Sequence, residues 1–143
     1  HNGLAGYMAC LAAIESTIAE AKQSTKLNQY AEELEAAVAT LKQVTEFLLG
    51  SMLEKNIDLV LANSVKYLDL FGNVVIAWIW LMQGVVAARA IEQGPHADDE
   101  NFYNGKLQAM RYFFNYELPD INTWAKLLLT LDDTCYAMDK SWY

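Results

Sequence analysis

Enzyme chemistry needs a nucleophile with a base, a pair of titratable groups or a set of metal ligands, and this 143-residue sequence offers few of each. Imidazole occurs only at His1 and at His96, beside Pro95. A di-metal centre inside a helical bundle takes a Glu from each of two helices and a Glu-x-x-His pair from each of two more. No Glu-x-x-His occurs here, and neither a terminal His1 nor a loop His96 can line a bundle core, so no metal site is expected. A Ser or Cys nucleophile needs a base within hydrogen-bond reach, and the only internal imidazole sits on that loop. Cys10 and Cys135 belong to no Cys-x-x-Cys or Cys/His spacing. They read as two buried thiols in a reducing compartment; a disulfide between them stays open but unsupported. Two carboxylate clusters, Asp98-Asp99-Glu100 and Asp132-Asp133, leave acid–base chemistry formally open. At helix ends and on outward faces they read as caps and solvated charge. No residue is assigned a catalytic, cofactor-binding or metal-binding role.

The elements that would carry such residues are helices. Only 2 Pro and 7 Gly punctuate a chain that is 54% hydrophobic, so the segments between turns are long. Tyr7, Met8, Leu11, Ile14, Ile18 and Ala21 recur at helical spacing from Leu4 onward. Ser24 and Thr25 offer N-cap oxygens to a second helix, with a stripe of Leu27, Tyr30, Leu34, Val38, Leu41, Val44, Leu48 and Met52. A third, the most apolar, is expected from Ile57 to about Glu92, stopped by Gly94-Pro95. Asp98, Asp99 and Glu100 open a fourth, expected to end near Leu118, because the residue before a proline is disfavoured in the α region. Pro119 then begins a fifth, with a stripe of Ile121, Trp124, Leu128, Leu131, Cys135 and Met138. The expected fold is all-α, an up-and-down antiparallel bundle of four to five helices in one domain over residues 1–143.

Charge and hydropathy exclude further classes. The net charge of −8, from 18 acidic and 10 basic residues with no basic cluster, offers nothing to a phosphate backbone, so nucleic acid is not an expected partner. No basic region followed by an apolar stretch precedes Leu4, so no secretory signal is read, and a start without Met reads as part of a longer polypeptide. Leu70 to Ala88, with Asn73 and Gln83 its only strongly polar members, is long enough for a membrane span. The four amphipathic segments around it need an apolar partner, so a helix buried at the bundle centre is the expectation and no span is. Gly72, Gly84 and the alanines Ala77, Ala87, Ala88 and Ala90 would let neighbours approach, with Trp78 and Trp80 filling wider gaps.

Ala62-Asn63-Ser64-Val65-Lys66-Tyr67-Leu68-Asp69-Leu70-Phe71-Gly72-Asn73-Val74-Val75, followed by Trp78-Ile79-Trp80, resembles a hallmark of the C-terminal helical domain of long bacterial acyl-CoA dehydrogenases. Phe102-Tyr103-Asn104-Gly105-Lys106-Leu107, Arg111-Tyr112-Phe113-Phe114, Leu118-Pro119 and the closing Trp142-Tyr143 are similar to later blocks of the same domain. The resemblance runs in order through residues 1–143. It implies a cytoplasmic flavoenzyme that removes hydrogens from Cα and Cβ of an acyl-CoA, with a glutamate base and FAD both in an upstream catalytic core. This chain would then be inactive alone, with that core as partner and homo-oligomer formation open. Tyr112, Tyr116, Trp142 and Tyr143, which do not fit one stripe, are candidates for a docking face; packing inside the bundle is the alternative reading. An independent helical module binding an apolar ligand or a membrane surface through Leu70–Ala88 is the rival from another class.

Overall fold

In the computed structural model, which describes residues 2–142, apolar side chains recurring at three- and four-residue steps form helices, and no strand occurs among the described residues. Helix α1 (Asn2–Ala21) buries Leu11, Ile14, Ile18 and Ala21, with Tyr7 and Cys10 half-buried. Met8, expected on that stripe, is exposed, because the 100° turn after Tyr7 carries it past the edge of the buried face. Helix α2 (Asn28–Leu53) buries Leu34, Val38, Leu41, Val44 and Leu48 as the stripe predicts. The expected side-chain cap does not form: α2 is preceded by Leu27, with no capping side chain, and Ser24 contributes its main-chain carbonyl to the N–H groups of Leu27 and Asn28 at 3.1 and 2.9 Å. This turn puts Leu27 into the core, 1% exposed, a place a capping hydroxyl could not fill.

The single third helix expected over Ile57–Glu92 is divided into α3 (Ile57–Ala62) and α4 (Ser64–Glu92) at Asn63. Buried Asn63 donates its amide to the carbonyls of Leu59 at 3.1 Å and Asp132 at 2.8 Å, a side-chain competition with the helical ladder that breaks it for one residue. Gly94, at φ +70°, ends the next turn as expected. Helix α5 (Ala97–Tyr112) has Asp98, Asp99 and Glu100 in its first turn, where they face the positive end of the helix dipole, although no side chain caps it.

The fourth helix does not stop before Pro119. Leu118 stays helical at φ −57°, ψ −37°, and the chain passes through a π-helical turn, Phe113–Glu117, into α6 (Asp120–Leu129). Leu118 N–H bonds to the Phe113 carbonyl at 2.9 Å, the wide five-residue step of a π turn. That extra residue relieves the clash a proline ring makes with the carbonyl four residues back, and so overrides the usual restriction on the preceding residue. The stripe expected to continue through Cys135 and Met138 ends at Leu129: Leu131 takes φ +50°, and Cys135 and Met138 are exposed. Thr130 Oγ1 donates to the Leu127 carbonyl at 2.7 Å and closes the last turn. A short 3-10 turn, Lys140–Trp142, follows.

Contacts fix the directions. Along α4, Gln83, Asn73 and Asn63 meet Lys106, Glu117 and Asp132 in turn, so α5, the π turn and α6 form one kinked rod antiparallel to α4 rather than two antiparallel helices. Lys22 and Lys42 pair with Glu35 and Glu15 at 2.7 and 2.6 Å, which sets α1 antiparallel to α2. The result is a four-rod up-and-down bundle, α1, α2, α3–α4 and α5–α6. Its core runs from Leu11 and Ile14 through Leu34, Leu41, Leu70, Leu81, Met110 and Phe114 to Leu128. Exposed ion pairs such as these contribute about 0–1 kcal/mol each, so the apolar core rather than the pairs holds the rods together.

Candidate functional site

Among the described residues, the candidate nucleophiles, carboxylates and imidazole form no metal-binding cluster. His96 lies exposed before α5, far in sequence from Cys10, which is half-buried on α1; His1 is outside the described residues. Cys135 is exposed, contrary to a pair of buried thiols, because the helix expected to bury it has already ended; both cysteines are free. Asp132 Oδ1 accepts the Thr134 N–H at 3.0 Å, a local turn, and its carbonyl takes Asn63. Asp98, Asp99, Glu100 and Asp133 are exposed. Among the described residues no group of three His, Cys, Asp or Glu side chains lies close enough to hold a metal ion.

The perturbed titratable groups have structural causes. Burial holds the Tyr67 phenol above its ordinary value, opposed by a 2.9 Å hydrogen bond with Thr45. The Glu15 carboxylate bound to its ammonium raises Lys42, and hydrogen bonds from Ser141 lower Asp139. Each of these partners, Thr45, Glu15 and Ser141, is one the fold itself supplies. Trp78 donates its indole N–H to Thr17 at 2.8 Å, and the Lys106 ammonium lies 5.9 Å from the Trp80 ring and 5.6 Å from the Phe102 ring. These contacts seat α1 and α5 against α4.

The unusual surface is α4 itself. Its inner face, Leu70, Val74, Ala77, Leu81, Gly84, Val85 and Ala88, is buried, but the helix is not enclosed as expected. Three rods pack on it from one side, and the remaining face is open: Val65, Leu68 and Val86 are 65%, 66% and 62% exposed, with Ile76, Ile79 and Met82 between them. No charge interrupts that face from Val65 to Val86. The charged residues of α4 within this stretch and just beyond it stand on its flanks and are paired, Lys66 with Asp69 at 3.0 Å and Arg89 with Glu20 of α1. The outer face of α2 shows what a solvated rod of this bundle looks like: Glu32, Glu35, Ala39, Gln43 and Glu46 are all exposed. By length and composition α1 and α4 could cross a membrane, and in α4 the inner face instead forms the bundle core.

The aromatic candidates for a docking face do not pack inside the bundle. Tyr112, Tyr116 and Trp142 are exposed, and Tyr112 and Tyr116 stack on each other at 4.9 Å; Tyr143 is outside the described residues. Sequence reasoning missed the outer face of α4 because an all-round apolar helix reads as buried. The signal that could have found it is the uncharged helical series Val65, Leu68, Gly72, Ile76, Ile79 and Val86, running beside the inward series Leu70, Val74, Leu81 and Ala88.

The family described as acetyl-CoA dehydrogenase C-terminal like matches residues 10–139, and the chain belongs to that family. The broad-specificity linear acyl-CoA dehydrogenase FadE5 of Mycobacterium tuberculosis is 30% identical over 78 residues, which cover 54% of this chain and 13% of that protein. The chain thus matches a small part of this relative's length. Its residues do not fit the flavin dinucleotide that the resemblance implies for the whole enzyme. The concavities between its helices hold about 160 to 320 Å³, at or below the lower end of what a drug-sized ligand occupies. Among the described residues no strand leads through a Gly-rich turn into a helix that could cradle a pyrophosphate.

Proposed function

We propose that this chain is the accessory C-terminal domain of an FAD-dependent acyl-CoA dehydrogenase, packed on the catalytic core of the same polypeptide and inactive alone. Residues 1–143 form one domain of a cytoplasmic enzyme of fatty-acid or related acyl-CoA oxidation. The flavin and the base that remove hydrogens from Cα and Cβ of the acyl-CoA lie in the core, and no step of that reaction runs through a residue of this chain. Its work is structural: covering core surface, shaping the substrate-side groove or fixing the subunit arrangement.

The observation that carries the reading is the family match over residues 10–139, joined to a relative whose printed activity is acyl-CoA dehydrogenation. The test is to capture the native protein with an antibody against this chain and measure its flavin absorbance before and after adding an acyl-CoA. Bleaching of the flavin is the expected result; captured protein without flavin refutes the reading. A second reading, an independent helical module for an apolar ligand or a membrane surface, draws on the open apolar face of α4. Flotation with liposomes separates the two, since a domain of a soluble dehydrogenase stays at the bottom of the gradient.

A further inference from the structure

We infer that the domain docks on the dehydrogenase core through the outer face of α4, with α1 and α5 as shoulders, and not through exposed Tyr112 at the end of α5 and Tyr116 in the π turn. The inference rests on the reading of the chain as a dehydrogenase domain and says which surface meets the core and what chemistry that surface recognises. A chain with a net charge of −8 places Glu or Gln on the outer face of α2, yet carries no charge on the outer face of α4 from Val65 to Val86, where Lys66 and Asp69 stand on the flank and pair with each other. A solvated face needs charge for solubility, whereas the centre of a protein–protein interface is depleted of it.

The extent of the face agrees. At ~1.5 Å per residue and ~10 Å of helix width, Val65 to Val86 presents roughly 330 Å² in projection, at the size where apolar patches mark interaction sites. Thr17 and Glu20 turn the adjoining side of α1 toward α4. One and two turns before them that side consists of Ala9, Ala13 and Ser16, all exposed, a low shoulder over which a partner can come close. On the other side Phe102 of α5 stands exposed beside Met82 and Val86, walling an apolar groove of about 270 Å³.

The occupant is an uncharged apolar surface of the core, and two observations favour it over a membrane or a second copy. The family takes its description from a C-terminal position, and the match spans 13% of the relative. A partner on the same polypeptide is held at an effective concentration of about millimolar, so an apolar face of this size suffices without a dense set of ion pairs. Anionic lipid surfaces recruit helices flanked by clustered Lys and Arg, whereas this chain carries 18 acidic residues against 10 basic; beside the face Lys66 and Arg89 are paired with carboxylates, and Lys106 in the groove is a lone cation that donates to Gln83 at 3.2 Å.

The test is cysteine footprinting in the complete polypeptide. Cys10 and Cys135 are changed to Ser, and Leu68→Cys, Ile79→Cys, Tyr116→Cys and Ala39→Cys are made one at a time, each at an exposed position of the bundle. Each is labelled with a water-soluble maleimide, folded and in urea. The proposal expects Leu68→Cys and Ile79→Cys to label about tenfold or more slowly when folded, at every protein concentration and in the soluble fraction, while Ala39→Cys and Tyr116→Cys label freely. Protection of Tyr116→Cys alone overturns the face and leaves the accessory-domain reading standing. Protection that is lost on dilution assigns the face to a second copy, and protection found only with membranes assigns it to lipid; either overturns the proposal. No protection at any position overturns both the face and the packing on the core.

Discussion

Two glycines of one helix respond in opposite directions to the same substitution. Both lie inside α4, where Gly→Ala stabilises a helix by about 1 kcal/mol through backbone entropy. A Cβ at Gly72 meets nothing within 4 Å, so Gly72→Ala keeps this gain. A Cβ at Gly84 falls 2.5 Å from the Met110 sulfur and 3.5 Å from a Leu27 methyl. Met110 and Leu27 are each 1% exposed, so neither can swing into solvent, and the sulfur must shift against a closed core. Overpacking of that kind costs about 1–3 kcal/mol, which leaves Gly84→Ala destabilising by roughly 0–2 kcal/mol after the helix gain. Urea unfolding followed by circular dichroism reads both changes in the 143-residue chain. The contact is isolated by a double-mutant cycle with Met110→Ala, whose own cavity costs about 2–5 kcal/mol. In that background Gly84→Ala should recover its helix gain, a coupling of about 1–3 kcal/mol. Equal stabilisation by Gly72→Ala and Gly84→Ala, with no coupling to Met110, would refute the close approach of α4 and α5.

Asn63→Ala removes the bonds to the Leu59 and Asp132 carbonyls; it should cost about 1–3 kcal/mol and speed amide hydrogen exchange in the segment after α6. Thr17→Val strips the acceptor from the Trp78 indole N–H and should cost about 1–3 kcal/mol, read as a lowered unfolding midpoint; an unchanged midpoint would contradict the α1–α4 bond. Burial raises Tyr67 above the ordinary 10.0, so the folded state keeps a proton that the unfolded chain releases. That contribution is whole below the unfolded value and is lost as pH climbs through 10 toward the raised one. Unfolding midpoints of the natural chain and Tyr67→Phe, compared from about pH 9 to about pH 11, should show the steeper fall in the natural chain.

Helical periodicity carries far in this sequence and fails where side chains compete with it. The stripe of α2 follows from spacing alone because that helix is polar on its other side, and Leu34, Leu41 and Leu48 land in the core; α1, with Ala and Gly around it, keeps Leu11, Ile14 and Ile18 buried but leaves Met8 outside. Spacing could not show that Asn63 would leave the ladder for the Asp132 carbonyl, a partner 69 residues away. Nor could it show that a π turn before Pro119 would keep one rod running where two antiparallel helices were expected. Cys135 and Met138 fit a helical stripe that no helix carries, since a stripe records spacing and not hydrogen bonds. The outer face of α4 was legible as residues and not as a surface: one apolar helix can be wrapped on all sides or covered on one, and only the number of rods around it decides. The family blocks around Ala62–Val75 and Phe102–Leu107 pointed to the family that the match over residues 10–139 shows.

The central claim is that the chain works as part of a larger enzyme. The most direct measurement is the mass of the native protein in its source cells, detected by immunoblot with an antibody raised against these residues. The account predicts a band several times heavier than the 16.1 kDa of the chain. A sole band at 16.1 kDa would contradict it and leave an independent helical bundle.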